Sequence, residues 1–303
     1  MIHSEIDRPG AVQRSAISED EPFPTDLPGA EQPWLSIMPE FGWAPLNLRE
    51  LWQYRDLLFT LISRDLKLRY KQTVLGVAWV VIQPLLAAGV FSFVFGTVAK
   101  FSSGKIPYLV FSYAGLLGWN LFSGILTRIT GSLVANSHLI AKVFFPRLIL
   151  PLSSVGSVLV DFAVAAAMMG VLMGIYHVQP TPMLALLPVW MAMLMAISLG
   201  AGLIAAAMTV SYRDVQYIMP VLTQILLYAS PVAYGVSQVP AKYRWVYELN
   251  PLTPPLEAMR ASLLGTAMPE AGALGISTAL GAFLLLVGLY SFKRMERKFA
   301  DVI

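Results

Sequence analysis

Few residues of this chain are of a type and spacing that could do chemistry. The three histidines, His3, His138 and His177, are scattered, and neither His138 nor His177 has a carboxylate at metal-ligand spacing. Without cysteine there is no thiolate nucleophile, no disulfide framework and no thiolate metal site. No serine stands in a Gly-x-Ser-x-Gly elbow. A phosphate-cradling loop needs two glycines at fixed spacing before Lys and Ser/Thr, so that backbone N–H groups converge on the nucleotide. Gly104-Lys105 is the sole Gly-Lys pair, Ile106 follows it, and Ala99 lies five residues before Gly104. No metal or nucleotide site is therefore expected here, and ATP driving this chain would be hydrolysed on another. One carboxylate is out of place. Asp161 sits about a dozen residues into an apolar stretch, where ionised aspartate costs roughly 2.5–3.5 kcal/mol on insertion scales. It is either part of a polar relay or a hydrogen-bonded helix–helix contact. The spans offer no second carboxylate, lysine or arginine for a relay, which favours the contact.

The elements around these residues are membrane helices. A soluble protein carries roughly a quarter charged residues, whereas this one has 13% charged and 56% hydrophobic residues. Six stretches reach the roughly 20 apolar residues a span needs: Val74–Ala99, Tyr108–Leu126, Leu148–Tyr176, Met183–Val210, Val215–Tyr234 and Ala271–Phe292. With a cytoplasmic N-terminus, fourteen Lys and Arg fall in inner segments and five in outer ones, outside the N-terminal tail, the positive-inside pattern. An even span number returns the basic residues 293–303 to the cytoplasm. Residues 1–46 hold seven prolines and eight acidic residues against two arginines. Residues 1–33 are accordingly expected to be a disordered cytoplasmic tail. That start lacks the basic and apolar regions of a signal peptide.

Within 34–73, the run Leu46–Arg64 is amphipathic. Leu48, Leu51, Trp52, Tyr54, Leu58, Phe59 and Ile62 share one arc and Arg49, Gln53, Asp56, Thr60 and Arg64 the other. Neighbouring basic residues favour a helix lying on the membrane surface over one packed on a partner. Gln83-Pro84 predicts a kink in the first span, either a packing kink or a bend shaping a channel wall. Trp79, Phe91, Tyr113, Trp119 and Phe122 stand among many aromatics of the first two spans, where they either face lipid and core or stack on sugar rings. Small neighbours Ala114, Gly115 and Gly118 single out Tyr113 and Trp119. Between Arg128 and Arg147 the run Asn136–Lys142 reads as a short helix, either a motor contact or a plain connector. The segment Gly235–Glu270 is too apolar for a free loop. Pro240 can open one short helix, and Thr253-Pro254 can cap another. These are either re-entrant helices or a small cap.

Four blocks then carry a resemblance. RDLKLRYKQTVLGVAWVVIQP (Arg64–Pro84), LIAKVFFPRLILPLSSVGSVLVDF (Leu139–Phe162), SYRDVQYIMP (Ser211–Pro220) and SPVAYGVSQVPAKYRWVYELNPL (Ser230–Leu252) resemble ABC-2 type exporter permeases for O-antigen, lipopolysaccharide and related polysaccharides. The likeness runs from about Trp43 to the C-terminus and leaves out the acidic tail. It implies an all-α integral membrane protein of six transmembrane helices over residues 74–292, with an N-terminal interfacial helix and short periplasmic re-entrant gate helices. It implies a homodimer of permeases in the bacterial inner membrane, two ATPase subunits that hold ATP and Mg²⁺, a lipid-linked polysaccharide substrate and no nucleic acid. Asn136, Ser137, His138, Leu139, Ile140 and Lys142 become the ATPase coupling helix. Trp79, Phe91, Tyr113, Trp119 and Phe122 become candidate channel-lining residues, and Tyr243, Trp245, Glu257 and Arg260 the periplasmic gate. Other readings are a capsule or teichoic-acid exporter of the same architecture, or a membrane-embedded lipid-linked sugar transferase. For the last, Asp65, Arg213 and Asp214 are the sole raw material.

Overall fold

The computed structural model describes residues 48–71 and 76–296. The 1–33 tail and residues 297–303 of the basic C-terminal segment lie outside the described residues. Among the described residues the regular structure is helical, without a strand. In chain order the helices are α1 (Leu48–Gln53), α2 (Arg55–Tyr70), α3 (Ala78–Phe91), α4 (Tyr108–Ala135), α5 (Ser137–Lys142), α6 (Ile149–Ile175), α7 (Leu187–Ser211), α8 (Val215–Tyr228), α9 (Arg244–Leu249), α10 (Thr253–Leu264) and α11 (Ala271–Glu296). A π-helical turn, Ser92–Val98, lengthens α3, and a 3-10 turn, Pro182–Leu186, leads into α7. With these extensions α3, α4, α6, α7 and α11 are each long and apolar enough to cross a bilayer.

The amphipathic run differs from its expectation. It breaks at Tyr54, and α2 continues to Tyr70. Residues 65–70 are mostly good helix formers. Asp56 in the first turn and Lys67 and Arg69 in the last suit the helix dipole. α2 packs along α6. Leu61 is buried, and a Cβ on Gly156 would lie 2.8 Å from Ile62 Cγ1. The fifth apolar segment, expected over Val215–Tyr234, is also shorter than expected. α8 stops at Tyr228 after 14 residues, about 21 Å of helix against roughly 30 Å of hydrocarbon. Ser230-Pro231 follows and turns the chain.

The core is built around α4, buried on nearly every face from Val110 to Leu133. α6 and α7 flank it, and α3, α8 and α10 cover the remainder. α11 packs on α7 through a stripe of mainly small residues, Ser277, Gly281, Gly288 and Phe292. Its other faces show Ile276, Phe283 and Leu286 to the outside, as α8 shows Ile218, Val221 and Ile225. Long apolar faces of this kind need lipid or another apolar partner. This is an all-α, multi-pass membrane protein.

α10 is buried along its whole length against α4 and α7, whereas α9 is largely exposed. The α10 start also departs from expectation, since Thr253 is already helical and makes no capping bond. Asn250 does that work instead. Its Oδ1 accepts from Leu252 N at 3.0 Å, and its backbone carbonyl accepts from Thr253 N at 3.0 Å, an Asx-type turn. Threonine has no donor left to cap, because Pro254 and Pro255 carry no N–H and Leu256 N already donates to Leu252 O at 3.2 Å.

Candidate functional site

α4 ends, α5 turns and α6 begins at one end of the bundle, and the last turn of α11 joins them there. Arg147 donates from its backbone N to Glu296 Oε1 at 3.3 Å and from Nη1 to the Glu296 carbonyl. Glu296 also pairs with Lys293 at 3.4 Å. Arg64 of α2 donates to Asn136 Oδ1 at 2.7 Å and to Asp65 Oδ1 at 2.9 Å. Asn136 Nδ2 donates to Ser132 O at 2.9 Å. The turn into α5 is thus tied to α2 on one side and, past Lys142, to α11 on the other. Within α5, Ser137, Leu139 and Ile140 are half-buried while His138 and Lys142 are exposed. Just past it Val143 and Phe144 are 54% and 68% exposed. Sequence reasoning missed these two. Their signal was Val143-Phe144-Phe145 ahead of Pro146, with Phe145 alone buried.

Asp161 has the partners the sequence reading denied it. Its Oδ2 accepts from Arg69 Nη1 and Arg128 Nη2, and its Oδ1 from the Tyr70 hydroxyl. Arg128 Nη1 also donates to Ser157 Oγ at 2.6 Å. Arg128 reads as a loop residue only if the second span ends at Leu126. In the fold α4 runs on to Ala135, carrying Arg128 about two turns inside the helix. Arg69 arrives because α2 extends along α6. Burial first, and the bonded Asp161 carboxylate next, push the Tyr70 phenol above its ordinary pKa, so it stays protonated and donates.

The four residues expected at the gate fall into two environments. Tyr243 and Trp245, beside or on α9, are 53% and 59% exposed. Arg260, 2% exposed, points inward from α10. Its Nη2 donates to Pro231 O at 2.6 Å and Val232 O at 2.7 Å, and Nη1 to Tyr234 O at 3.3 Å. The guanidinium lies 4.2 Å from the Phe111 ring centroid, a cation–π contact. Glu257 Oε1 accepts from Val236 N at 3.0 Å, and Tyr108 donates to Ala233 O at 2.9 Å. Loop 230–236 is thereby clamped between α10 and the N-terminal end of α4. Gly115 makes room for it, since a Cβ there would stand 2.1 Å from Val232 O. Burial lowers the Arg260 pKa to about 10, opposed by nearby Glu257, so the side chain remains cationic at neutral pH.

The aromatic candidates also separate. Tyr113, Trp119 and Phe122 are enclosed within the helix bundle. Tyr113 donates to Ala165 O at 3.1 Å, and the Trp119 and Phe122 ring centroids lie 5.4 Å apart. Trp79 is exposed. Phe91 stands edge-on to Phe95 at 5.9 Å, and Phe95 meets Tyr234 at 5.9 Å. Tyr234 in turn shares a hydroxyl–hydroxyl hydrogen bond with Tyr247 of α9. This aromatic chain links the π-helical end of α3 to α9. Pro84 is buried within α3.

Among the described residues no group of three or more His, Asp or Glu is arranged to hold a metal. Asp65 is held by Arg64. A family model for the ABC-2 type transporter matches residues 56–264. The chain is 31% identical over 255 residues to an O-antigen export system permease protein RfbA of Klebsiella pneumoniae, covering 82% of this chain and 95% of the relative. It is 32% identical over 261 residues to the protein of the same name from Myxococcus xanthus, covering 84% and 98%. To the polysialic acid transport protein KpsM of Escherichia coli it is 25% identical over 243 residues, covering 78% and 92%. With a family model over most of its length, a helical membrane fold and relatives matched nearly end to end, the chain belongs to the ABC-2 type transporter family.

Proposed function

We propose that this chain is the permease subunit of an ATP-driven exporter that moves a lipid-linked polysaccharide of the O-antigen type from cytoplasm to periplasm. In this reading two copies form the channel in the inner membrane, with N- and C-termini in the cytoplasm. Two separate ATPase subunits hold ATP and Mg²⁺. The names of the relatives at 31% and 32% identity support the substrate class. A capsule-type exporter is the second reading, favoured by the likeness to KpsM and ranked lower by its 25% identity.

The observation that carries the proposal is the exposed apolar pair Val143–Phe144 at the tip beside α5, in a chain whose sequence has no nucleotide-binding loop. An apolar tip braced on α2 and α11 is built to receive force and pass it into the bundle. Asn136 to Lys142 form the rest of that contact, with His138 and Lys142 outermost. Trp79 and Phe91 take the lining role, while enclosed Tyr113, Trp119 and Phe122 keep the wall in shape. Tyr243 and Trp245 belong to the movable side of the outer gate, and Glu257 and Arg260 to its fixed post.

The test replaces both tip residues, Val143→Asp with Phe144→Asp. Burying one such apolar side chain at an interface contributes about 1.5–3 kcal/mol, so recovery of the ATPase subunit with the tagged permease should fall at least about tenfold. Membrane insertion should be unchanged, because both residues are already in solvent. Undiminished recovery and export would remove the motor contact from this tip.

A further inference from the structure

Asp161 is more than neutralised. One carboxylate, its side chain 15% exposed, faces two guanidiniums and a phenol. A buried carboxylate needs one counter-ion, and a second cation on the same oxygen adds repulsion between the two arginines. The two arginines are also held differently. Arg128 belongs to α4, which packs on α6 along its length, and its other nitrogen is engaged by Ser157. Arg69 belongs to the last turn of α2, and its side chain is already 46% exposed. If Arg69 departs, Asp161 keeps a full counter-ion, and Arg69 leaves from a position where protein already leaves nearly half of its side chain uncovered. The reverse exchange, with Arg128 leaving, would strand a charge inside the helix bundle.

We propose that Arg69 and Tyr70 form a releasable clasp on Asp161. The C-terminal end of α2 unhooks from α6 in each transport cycle, while Arg128 holds Asp161 in place. The trigger lies on the same helix, because Arg64, less than two turns before Arg69, donates to Asn136 at the start of α5. A push on α5 therefore reaches the clasp through α2 as a lever. This step rests on the reading of α5 as the motor contact. Asp161 is then a positioning residue for transport, and it touches no substrate.

The absence of cysteine makes the clasp testable by a disulfide lock. A Cβ on Gly156 would lie 2.8 Å from Ile62 Cγ1 and 3.6 Å from Cγ2. Ile62→Cys with Gly156→Cys thus brings the two Cβ atoms close to the ~3.5–4.5 Å that a disulfide spans, and the shorter cysteine removes the overlap. In the full-length permease reconstituted with its ATPase subunit, the oxidised pair should export at least about tenfold more slowly and recover on reduction. Oxidised protein that exports at the reduced rate would overturn the clasp. A second arm uses the permease alone and so does not depend on the motor reading. Arg69→Gln should lower the melting temperature by less than about 3 °C and Arg128→Gln by about 10 °C. Equal losses would make Arg69 a fixed structural partner and sink the proposal, even where no ATPase subunit is recovered.

Discussion

Leucine in place of Gly200 is expected to leave almost no folded protein in the membrane. α7 and α11 meet backbone to backbone at this point. A Cβ on Gly200 would stand 2.4 Å from both the carbonyl carbon and oxygen of Leu284 and 2.5 Å from Leu285 N. From the other side, a Cβ on Gly288 would lie 2.4 Å from Gly200 O. No side-chain rotation relieves these overlaps, because the obstructing atoms are main chain. The helices must separate, and the small-residue stripe of α11 then loses its packing over several turns. In lipid, where helix association rests on such close packing, the loss should exceed about 4 kcal/mol. The measurement is the yield of monodisperse protein after detergent extraction. Gly275→Ala is the control, since nothing lies within 4 Å of a Cβ there, and it should stay within about 0.5 kcal/mol of the parent. A normal yield for Gly200→Leu would mean that α7 and α11 do not pack as described.

Removing Arg260 should be nearly as severe and should act on function first. Arg260→Ala takes the donors from three carbonyls, those of Pro231, Val232 and Tyr234, and empties the space beside Phe111. Each charge-assisted bond contributes about 1.5–3 kcal/mol net, but the loop can recover part of this from water. A cost of about 3–5 kcal/mol is expected, as for breaking a buried charged network. Loop 230–236 should then come off α4. Hydrogen exchange of its amides should rise at least about tenfold, and proteoliposomes should leak small solutes. Arg260→Lys should recover little, because one ammonium cannot reproduce the planar fork that spans the carbonyls. Unchanged exchange across 230–236 would show that Tyr108 and Glu257 hold the loop without it.

Much of the helical framework was legible from residue order. Expected spans at Tyr108, Leu148, Met183 and Ala271 begin within one residue of the observed helices or their leading turns. A backbone in hydrocarbon must satisfy its own hydrogen bonds, so long apolar runs become helices with little help from their neighbours. The end of α4 was not legible. Residues 127–135, which include Arg128, Thr130 and Ser132, look like loop, yet Thr130 and Ser132 are buried and bond back to carbonyls within their own helix. Packing from α6 and α7 extends the helix where composition alone would stop it.

The functional residues divide along the same line. Residue order by itself determined that this is a membrane-embedded chain whose sequence carries no phosphate-loop motif, that the segment 136–142 can form a short helix of its own, and that Asp161 needed company. Those conclusions follow from composition, periodicity and the desolvation of charge, which are local properties. Only the tertiary structure decided what that company is, because Arg69 and Arg128 lie 92 and 33 residues away along the chain and no periodicity links them. It likewise decided that Arg260 clamps a loop while Trp245 stands free, and that Trp119 is enclosed while Trp79 is not. Charge pairing and burial depend on which faces of which helices meet, and in this chain glycines such as Gly115, Gly156, Gly200 and Gly288 set those meetings by letting the elements approach.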